Sequence, residues 1–182
     1  MQRPDDRVDV RPATRADAQA IQSIYTPVVA SSAVSFEETP PEVDEIVRRM
    51  LSQPRLPWLV ATRAEAVVGY VYASTHRTRR AYRWSVDCSL YLPEQERRRG
   101  TGRRLYQQLF VELRGLGYVT MFAGIALPND ASVGIHEALG FVPVGAFRQV
   151  GFKHGSWHDV GWWQLGLMPP PSTPVEPRPW EP

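Results

Sequence analysis

Two residue types are almost missing from this chain. Of its 182 residues, one is a cysteine, Cys88, and one is a lysine, Lys153. A single cysteine excludes an internal disulfide and a thiolate metal cluster. His136, His154 and His158 show no recognised zinc spacing, so no metal is expected. Charge of one sign is not in excess either: 21 Lys and Arg face 19 Asp and Glu, a net of +2. Bulk charge therefore implies neither nucleic acid nor a membrane surface as partner. No stretch approaches the roughly 20 apolar residues of a membrane span. The first residues, MQRPDDRVDVRP, contain no apolar run, so no secretory signal is expected. Internal repeats are missing as well. These absences predict a soluble, cytoplasmic protein.

What is present is ordinary for one globular domain. Hydrophobic residues make up 43%, and the length suffices for a sizeable core. Residues 8–14 read as a strand. Thr14 then caps a helix, with Asp17 at the capping-box position. The helical stripe is Ala18, Ile21, Ile24 and Tyr25, and Pro27 is expected to limit its regular part. Thr39-Pro40-Pro41-Glu42 reads as the opening of a second helix, capped by Thr39 and reaching about Gln53. Residues 58–62 and 67–74 read as an antiparallel hairpin around Ala64-Glu65. Residues 82–92 alternate, with Trp84, Val86, Cys88, Leu90 and Leu92 on one face and Ser85, Asp87, Ser89 and Tyr91 on the other. A helix from Gly102 to about Gly115 follows. Residues 118–126 form a continuous apolar run, read as a strand buried on both faces. A short helix capped by Asn129 or Asp130 ends at Gly140. Two closing strands, 141–150 and 157–167, follow. Residues 168–182 are half proline, cannot form a core element, and are read as a disordered or surface-draped tail. The domain is thus 8–167, with a mixed α/β (α+β) fold and helices on both faces of the sheet.

One stretch carries chemistry. After the strand at 82–92 comes Arg97-Arg98-Arg99-Gly100-Thr101-Gly102, and then a helix. The first N–H groups of a helix have no intrahelical acceptor, and the helix dipole favours an anion there. The glycines allow close backbone approach. The arginines, with Arg103 just inside the helix, add bidentate donors. Alone, such a run reads equally as a phosphate cradle or as a solvated basic face.

The surrounding residues resemble the GNAT acetyltransferase superfamily. Arg97-x-x-Gly100-x-Gly102 is similar to its acyl-CoA motif, and Asn129 through Gly140-Phe141 is similar to its Asn-led helix. The segments FEETP, PWLVA, RRAYRW, LPNDASVGIHEALGF and GFKHGSWHDVGWWQL resemble the phosphinothricin N-acetyltransferases over about residues 8–167. The resemblance implies a GNAT-type, mostly antiparallel sheet. It implies acetyl-CoA as cosubstrate, held by Arg97, Arg98, Arg99, Gly100, Thr101, Gly102 and Arg103, by the strand residues Leu90, Tyr91 and Leu92, and by Asn129 and Ser132. A backbone N–H of that strand would polarise the thioester carbonyl. Phe36, Arg77, Arg79 and Tyr82 match the acceptor-contacting positions. A homodimer is implied too, the closing hairpin around residues 153–159 reaching a partner.

An α-ammonium group must lose a proton before it can attack. Two residues are candidates for the base. His136 stands in the Asn-led helix, where the family carries a catalytic histidine. Asp87 stands where the family carries a glutamate, so this chain departs from the pattern by one methylene. Cys88 reads as a buried strand cysteine, which favours direct transfer in a ternary complex over an acetyl-cysteine route. The expected function is acetylation of the α-amino group of a small amino acid analogue, such as phosphinothricin or methionine sulfoximine. The alternatives are a non-catalytic acyl-CoA-binding module and an enzyme acting on protein amines.

Overall fold

The computed structural model describes residues 8–182; residues 1–7, most of the charged N-terminal stretch, lie outside it. Seven strands form one sheet in the order β1-β2-β3-β4-β5-β7-β6. They are β1 Asp9–Pro12, β2 Trp58–Arg63, β3 Ala66–Thr75, β4 Ser85–Tyr91, β5 Thr120–Leu127, β6 Val142–Lys153 and β7 Ser156–Gly166. Four helices cover it: α1 Ala18–Ser31, α2 Val43–Met50, α3 Thr101–Leu116 and α4 Asp130–Ala138. Every strand pairing is antiparallel except β4 with β5. No helix among the described residues is long and apolar enough to cross a membrane.

Two apolar layers sandwich the sheet. On one face Leu105, Tyr106, Leu109 and Leu113 of α3 pack on Leu59, Val71, Val86 and Met121. On the other face Ile21, Tyr25 and Val29 of α1 and Ile46 and Met50 of α2 pack on Trp58, Val60 and Tyr70. Strand alternation divides the residues, so Val86 and Cys88 enter the α3 layer while Tyr91 joins the α1 layer.

Several local expectations change. The α1 helix continues through Pro27 to Ser31. Tyr25 and Val29 are both buried, so the apolar stripe crosses the proline, and packing outweighs one missing backbone bond. A 3-10 turn, Arg15–Asp17, precedes α1, and Asp17 accepts from both Thr14 N–H and Thr14 Oγ1 at its start. The α2 helix begins only at Val43 with Glu42 as N-cap, because Pro40 and Pro41 hold the preceding chain extended. Tyr82 and Trp84 precede β4 rather than lie in it; a 3-10 turn, Arg80–Tyr82, stands there. One face of β5 is packed, through Met121, Ala123 and Ile125. Its other face, with Phe122 and exposed Gly124, borders a cleft, so its continuous apolar run does not mean burial on both sides.

The segment after β7 has no helix or strand, yet it is not loose. Trp180 is 3% exposed and belongs to the α3 layer of the core. Its indole N–H donates to Glu112 Oε2 at 3.1 Å, and its backbone N–H donates to Arg55 O at 3.0 Å. A proline-rich segment lacks the backbone donors for regular structure, but one aromatic side chain is enough to join it to a core.

Candidate functional site

The β4 and β5 strands run together for only three residues. Ser85, Val86 and Asp87 pair with Thr120, Met121 and Phe122. Beyond that point β4 stays with β3 to Tyr91, and β5 stays with β7 to Leu127. The sheet therefore splits after Asp87 and Phe122. At the apex the Cys88 thiol donates to Phe122 O at 3.3 Å. Burial pushes that thiol's pKa up to about 12, so it stays protonated and is a poor nucleophile.

A cleft of about 400 Å³ opens beside the split, and its lining includes Phe36, Asp87, Gly124, Phe147, Val150 and Trp162. Gly124 forms its floor, since a Cβ there would stand 3.3 Å from the Trp162 ring. Phe36 lies against Gly151, where any side chain would collide with its ring. The loop that presents Phe36 is held from beneath by the only lysine. Lys153 is buried, and its Nζ donates to Val29 O at 2.6 Å and Ser35 O at 2.8 Å. Val29 lies in the last turn of α1, where a cation meets the negative end of the helix dipole. No motif marked Lys153 for this task, because its two acceptors lie more than a hundred residues away in sequence.

Asp87 has a partner to which the sequence reading assigned no role. His76 Nδ1 and Asp87 Oδ1 are 2.6 Å apart. The imidazole is itself fixed. It stacks on Phe122 with centroids 4.3 Å apart and meets the edges of Trp162 and Tyr82. Burial raises the Asp87 pKa above the ordinary carboxylate value, while the His76 hydrogen bond and nearby Arg77 restrain that rise. A signal for this pair existed. The β3–β4 register sets Ser74 opposite Asp87, and residue 76 follows Ser74 on the same face.

His136 is placed differently. It is 5% exposed and is not among the residues lining the cleft. Its Nδ1 lies 2.7 Å from Ser132 O, and its Nε2 lies 2.7 Å from Tyr106 Oη. A carbonyl only accepts, so Nδ1 carries the proton and Nε2 accepts from the Tyr106 hydroxyl. That hydroxyl has one proton, so its 3.5 Å approach to Cys88 Sγ is secondary. Burial lowers the His136 pKa. Both ring nitrogens are thus occupied within the core, and Tyr106, fully buried on α3, is the partner the sequence did not disclose.

The basic loop folds around a buried acid. Glu96 accepts from Arg63 Nη2 at 3.1 Å and from Thr101 Oγ1 at 3.3 Å, and Arg99 Nη1 lies 3.8 Å from its other oxygen. Arg98 and Gly100 both take positive φ, 59° and 82°, which turns the chain into α3. Arg104 N–H bonds Gly100 O, so the N–H groups of Thr101, Gly102 and Arg103 have no intrahelical acceptor. Gly102 serves packing: a Cβ there would lie 2.8 Å from Ile135 Cδ1 and 3.0 Å from Leu90 Cδ2. It lets α3 approach both β4 and α4. Leu90 and Tyr91 lie on the β4 side of the split, with Leu92 just past the strand end. Asn129 Oδ1 accepts from Ser132 N–H, which settles the cap of α4.

The acceptor positions gather less tightly. Phe36 lines the cleft, whereas Arg77, Arg79 and Tyr82 do not. Arg77 reaches it indirectly, its guanidinium 5.5 Å from the centroid of the Trp162 ring that does line it. Tyr82 stands exposed at the edge of His76. Among the described residues there is no cluster of three or more side chains suited to a metal ion.

This geometry has counterparts in known proteins. Residues 10–162 match the model of the acetyltransferase (GNAT) domain. A phosphinothricin N-acetyltransferase of Streptomyces viridochromogenes is 41% identical over 93% of this chain and 94% of its own. An L-methionine sulfoximine/L-methionine sulfone acetyltransferase of Pseudomonas aeruginosa is 36% identical over 91% of this chain and 98% of its own. The crystal structure of a GNAT superfamily phosphinothricin acetyltransferase from Sinorhizobium meliloti, in complex with acetyl-CoA, superposes with a TM-score of 0.87 at 36% identity. That match covers 93% of this chain and 94% of the other. A split sheet, a helix N-terminus free to take an anion and these likenesses lead to one conclusion: the chain is an N-acetyltransferase of the GNAT superfamily, and belongs to its phosphinothricin N-acetyltransferase family.

Proposed function

We propose that this enzyme acetylates the α-amino group of a small amino acid analogue with a tetrahedral polar head, of the phosphinothricin or methionine sulfoximine kind, by direct transfer. The observation that carries the reading is Asp87 on the cleft wall, at the last paired position before β4 and β5 part. Acetyl-CoA supplies an acyl group activated as a thioester. The residues suited to hold it are Arg97 to Arg99 and the amides of Gly100 to Arg103 for its phosphates, Leu90 to Leu92 along the split strand, and Asn129 and Ser132 at the start of α4. The fit rests on the uncommitted amides at the start of α3 and on strand edges that lack a partner beyond Asp87.

Asp87 accepts the proton of the incoming ammonium group, directly or through one water. His76 donates to one carboxylate oxygen and so aims the other at the cleft. Its ring, stacked on Phe122, also shields that oxygen from bulk water. A β4 amide beyond the split polarises the acyl carbonyl. Cys88 takes no covalent part, because its thiol stays protonated and bonded to Phe122 O. His136 acts from behind the wall, holding Tyr106 against the apex rather than touching substrate. Arg77 and Arg79 meet the acceptor's anionic groups, and Phe36 packs on its aliphatic part. Small acceptors are favoured by a cleft of about 400 Å³.

The exposed edge strand β6 carries Val144, Phe147, Val150 and Phe152, apolar and open. A second copy of the chain covers this face in the proposed homodimer. Thiol release from acetyl-CoA, screened over phosphinothricin, methionine sulfoximine, methionine sulfone, free amino acids and a peptide with a free N-terminus, tests the reading. Saturation by one of the tetrahedral-head compounds supports it. Turnover of the peptide alone moves the acceptor to proteins, and no acceptor-dependent release leaves only a binding module.

A further inference from the structure

The acceptor loop between β3 and β4 contains four arginines, and they are not equivalent. Arg80 Nη2 and Arg83 Nε each donate at 2.7 Å to one carboxylate, that of Glu176 in the C-terminal segment. Arg83 also donates to Arg80 O, and its guanidinium lies 3.7 Å from the centroid of the Trp84 ring. Arg77 donates to His76 O and covers Trp162. Among the described residues the side chain of Arg79 alone of the four has no hydrogen bond or ion pair.

The segment that delivers Glu176 is anchored on both sides of it. Trp84 Nε1 donates to Val175 O at 2.8 Å, and Arg178 N–H donates to Leu116 O at 2.9 Å. Arg178 Nη2 reaches Gly115 O at 2.6 Å. Trp180 then enters the core beside Glu112 and Arg55. An exposed ion pair contributes little by itself. Here a buried tryptophan and three backbone contacts fix the carboxylate, so two arginines are held at little extra entropic cost.

We propose that residues 175–180 form a strap that fixes the acceptor loop and determines which cation reads the acceptor. Glu176 occupies Arg80 and Arg83, leaving Arg79, alongside Arg77, to meet the substrate's anionic groups. The strap also fixes the end of the loop that feeds β4, three residues ahead of Asp87. Glu176 is a positioning residue, since it acts only through the loop. This inference rests on the proposed reading of that loop as the acceptor site.

The test compares the parent, E176Q and a chain ending at Met168, with phosphinothricin or methionine sulfoximine as acceptor, whichever the parent turns over. E176Q retains the Trp180 anchor, so it reports on the strap even if truncation impairs folding. In E176Q, hydrogen exchange is expected to rise across residues 79–84, with the acceptor KM raised several-fold and both kcat and the acetyl-CoA KM unchanged. A general structural defect would lower kcat or raise both KM values. Unchanged exchange and unchanged KM overturn the strap. Raised exchange with an unchanged acceptor KM overturns the reading of the loop as acceptor site, and this inference with it. A parent that turns over neither compound fails the proposed function before the variants are compared.

Discussion

His76 Nδ1 lies 2.6 Å from Asp87 Oδ1, across the β3–β4 hairpin and against the flat face of Phe122. The pairing changes the meaning of an aspartate where the family resemblance implies a longer acid. The shorter side chain is not left reaching into empty space; an imidazole takes up one of its oxygens. An Asp87→Glu replacement drives the carboxylate into that ring, and it is expected to be slower than the parent unless His76 is also reduced in size. Steady-state kcat of D87E and of D87E combined with H76A checks this.

In the proposed role the pair also sets the acid limb of the pH profile. Burial raises the Asp87 pKa, and the His76 hydrogen bond opposes that rise. The carboxylate must be ionised to accept a proton, so kcat/KM is expected to fall as pH drops through its folded pKa, which lies above the ordinary aspartate value. His76→Phe keeps a ring against Phe122 but removes the donor. The acid limb is expected to move to higher pH, with kcat down about tenfold, a modest share of what positioned general bases contribute. A pH–rate profile of H76F against the parent measures both effects.

His136 links stability, rather than rate, to pH. Its pKa is lowered on folding by burial. Between the unfolded value near 6.5 and the folded value the unfolded chain binds more protons, so stability rises with pH there. It is complete above about 6.5 and is lost as pH falls through the lower folded pKa. The melting temperature should decline on acidification through this window, and His136→Gln should flatten that decline while lowering stability at neutral pH through loss of the Tyr106 contact.

Glu96 anchors the basic loop from within. Its side chain is 6% exposed and that of Arg63 is 15% exposed. Removing the acid's charge sets the Arg63 guanidinium against a neutral amide, with a single accepting oxygen left for Arg63 and Thr101. Glu96→Gln is expected to cost about 2 kcal/mol, less than a fully buried pair because Arg63 retains some water. The acetyl-CoA KM should rise more than the acceptor KM, because the loop that Glu96 holds is the proposed cradle of the cosubstrate phosphates. Chemical denaturation and two-substrate kinetics provide the readouts.

Much of this was legible where signals are local. The α3 stripe, the hairpin around Ala64 and Glu65 and the α4 cap, read as Asn129 or Asp130, depend on residues within one or two turns of each other; the structure contains the first two and gives the cap to Asn129. The split between β4 and β5 was not legible. It is a relation between two strands, and a continuous apolar run looks the same whether its second face is packed or lines a cleft. Tyr106 and His136 stand thirty residues apart, and nothing in either helix announces the other. Lys153 and Trp180 were obscured by their settings. A lysine in a polar hairpin reads as exposed, and a tryptophan among prolines reads as tail, until the fold brings acceptors to the first and a core to the second.

The exposed face of β6 bears on assembly. Phe147, Phe152 and Trp157 are each more than half exposed on the closing hairpin. Light scattering is expected to give the mass of two chains, and a Phe152→Asp variant a larger share of single chains with less activity. A single-chain mass for the parent at micromolar concentration would remove the dimer from the proposal.

The most direct test concerns Asp87 itself. Acceptor-dependent thiol release by Asp87→Asn is compared with the parent, alongside acetyl-CoA affinity by calorimetry. The proposed role predicts kcat reduced by about a hundredfold or more, with acetyl-CoA affinity unchanged and little change in the acceptor KM. Parental kcat in the variant would contradict it, and would return the search for the base to the other groups near the cleft.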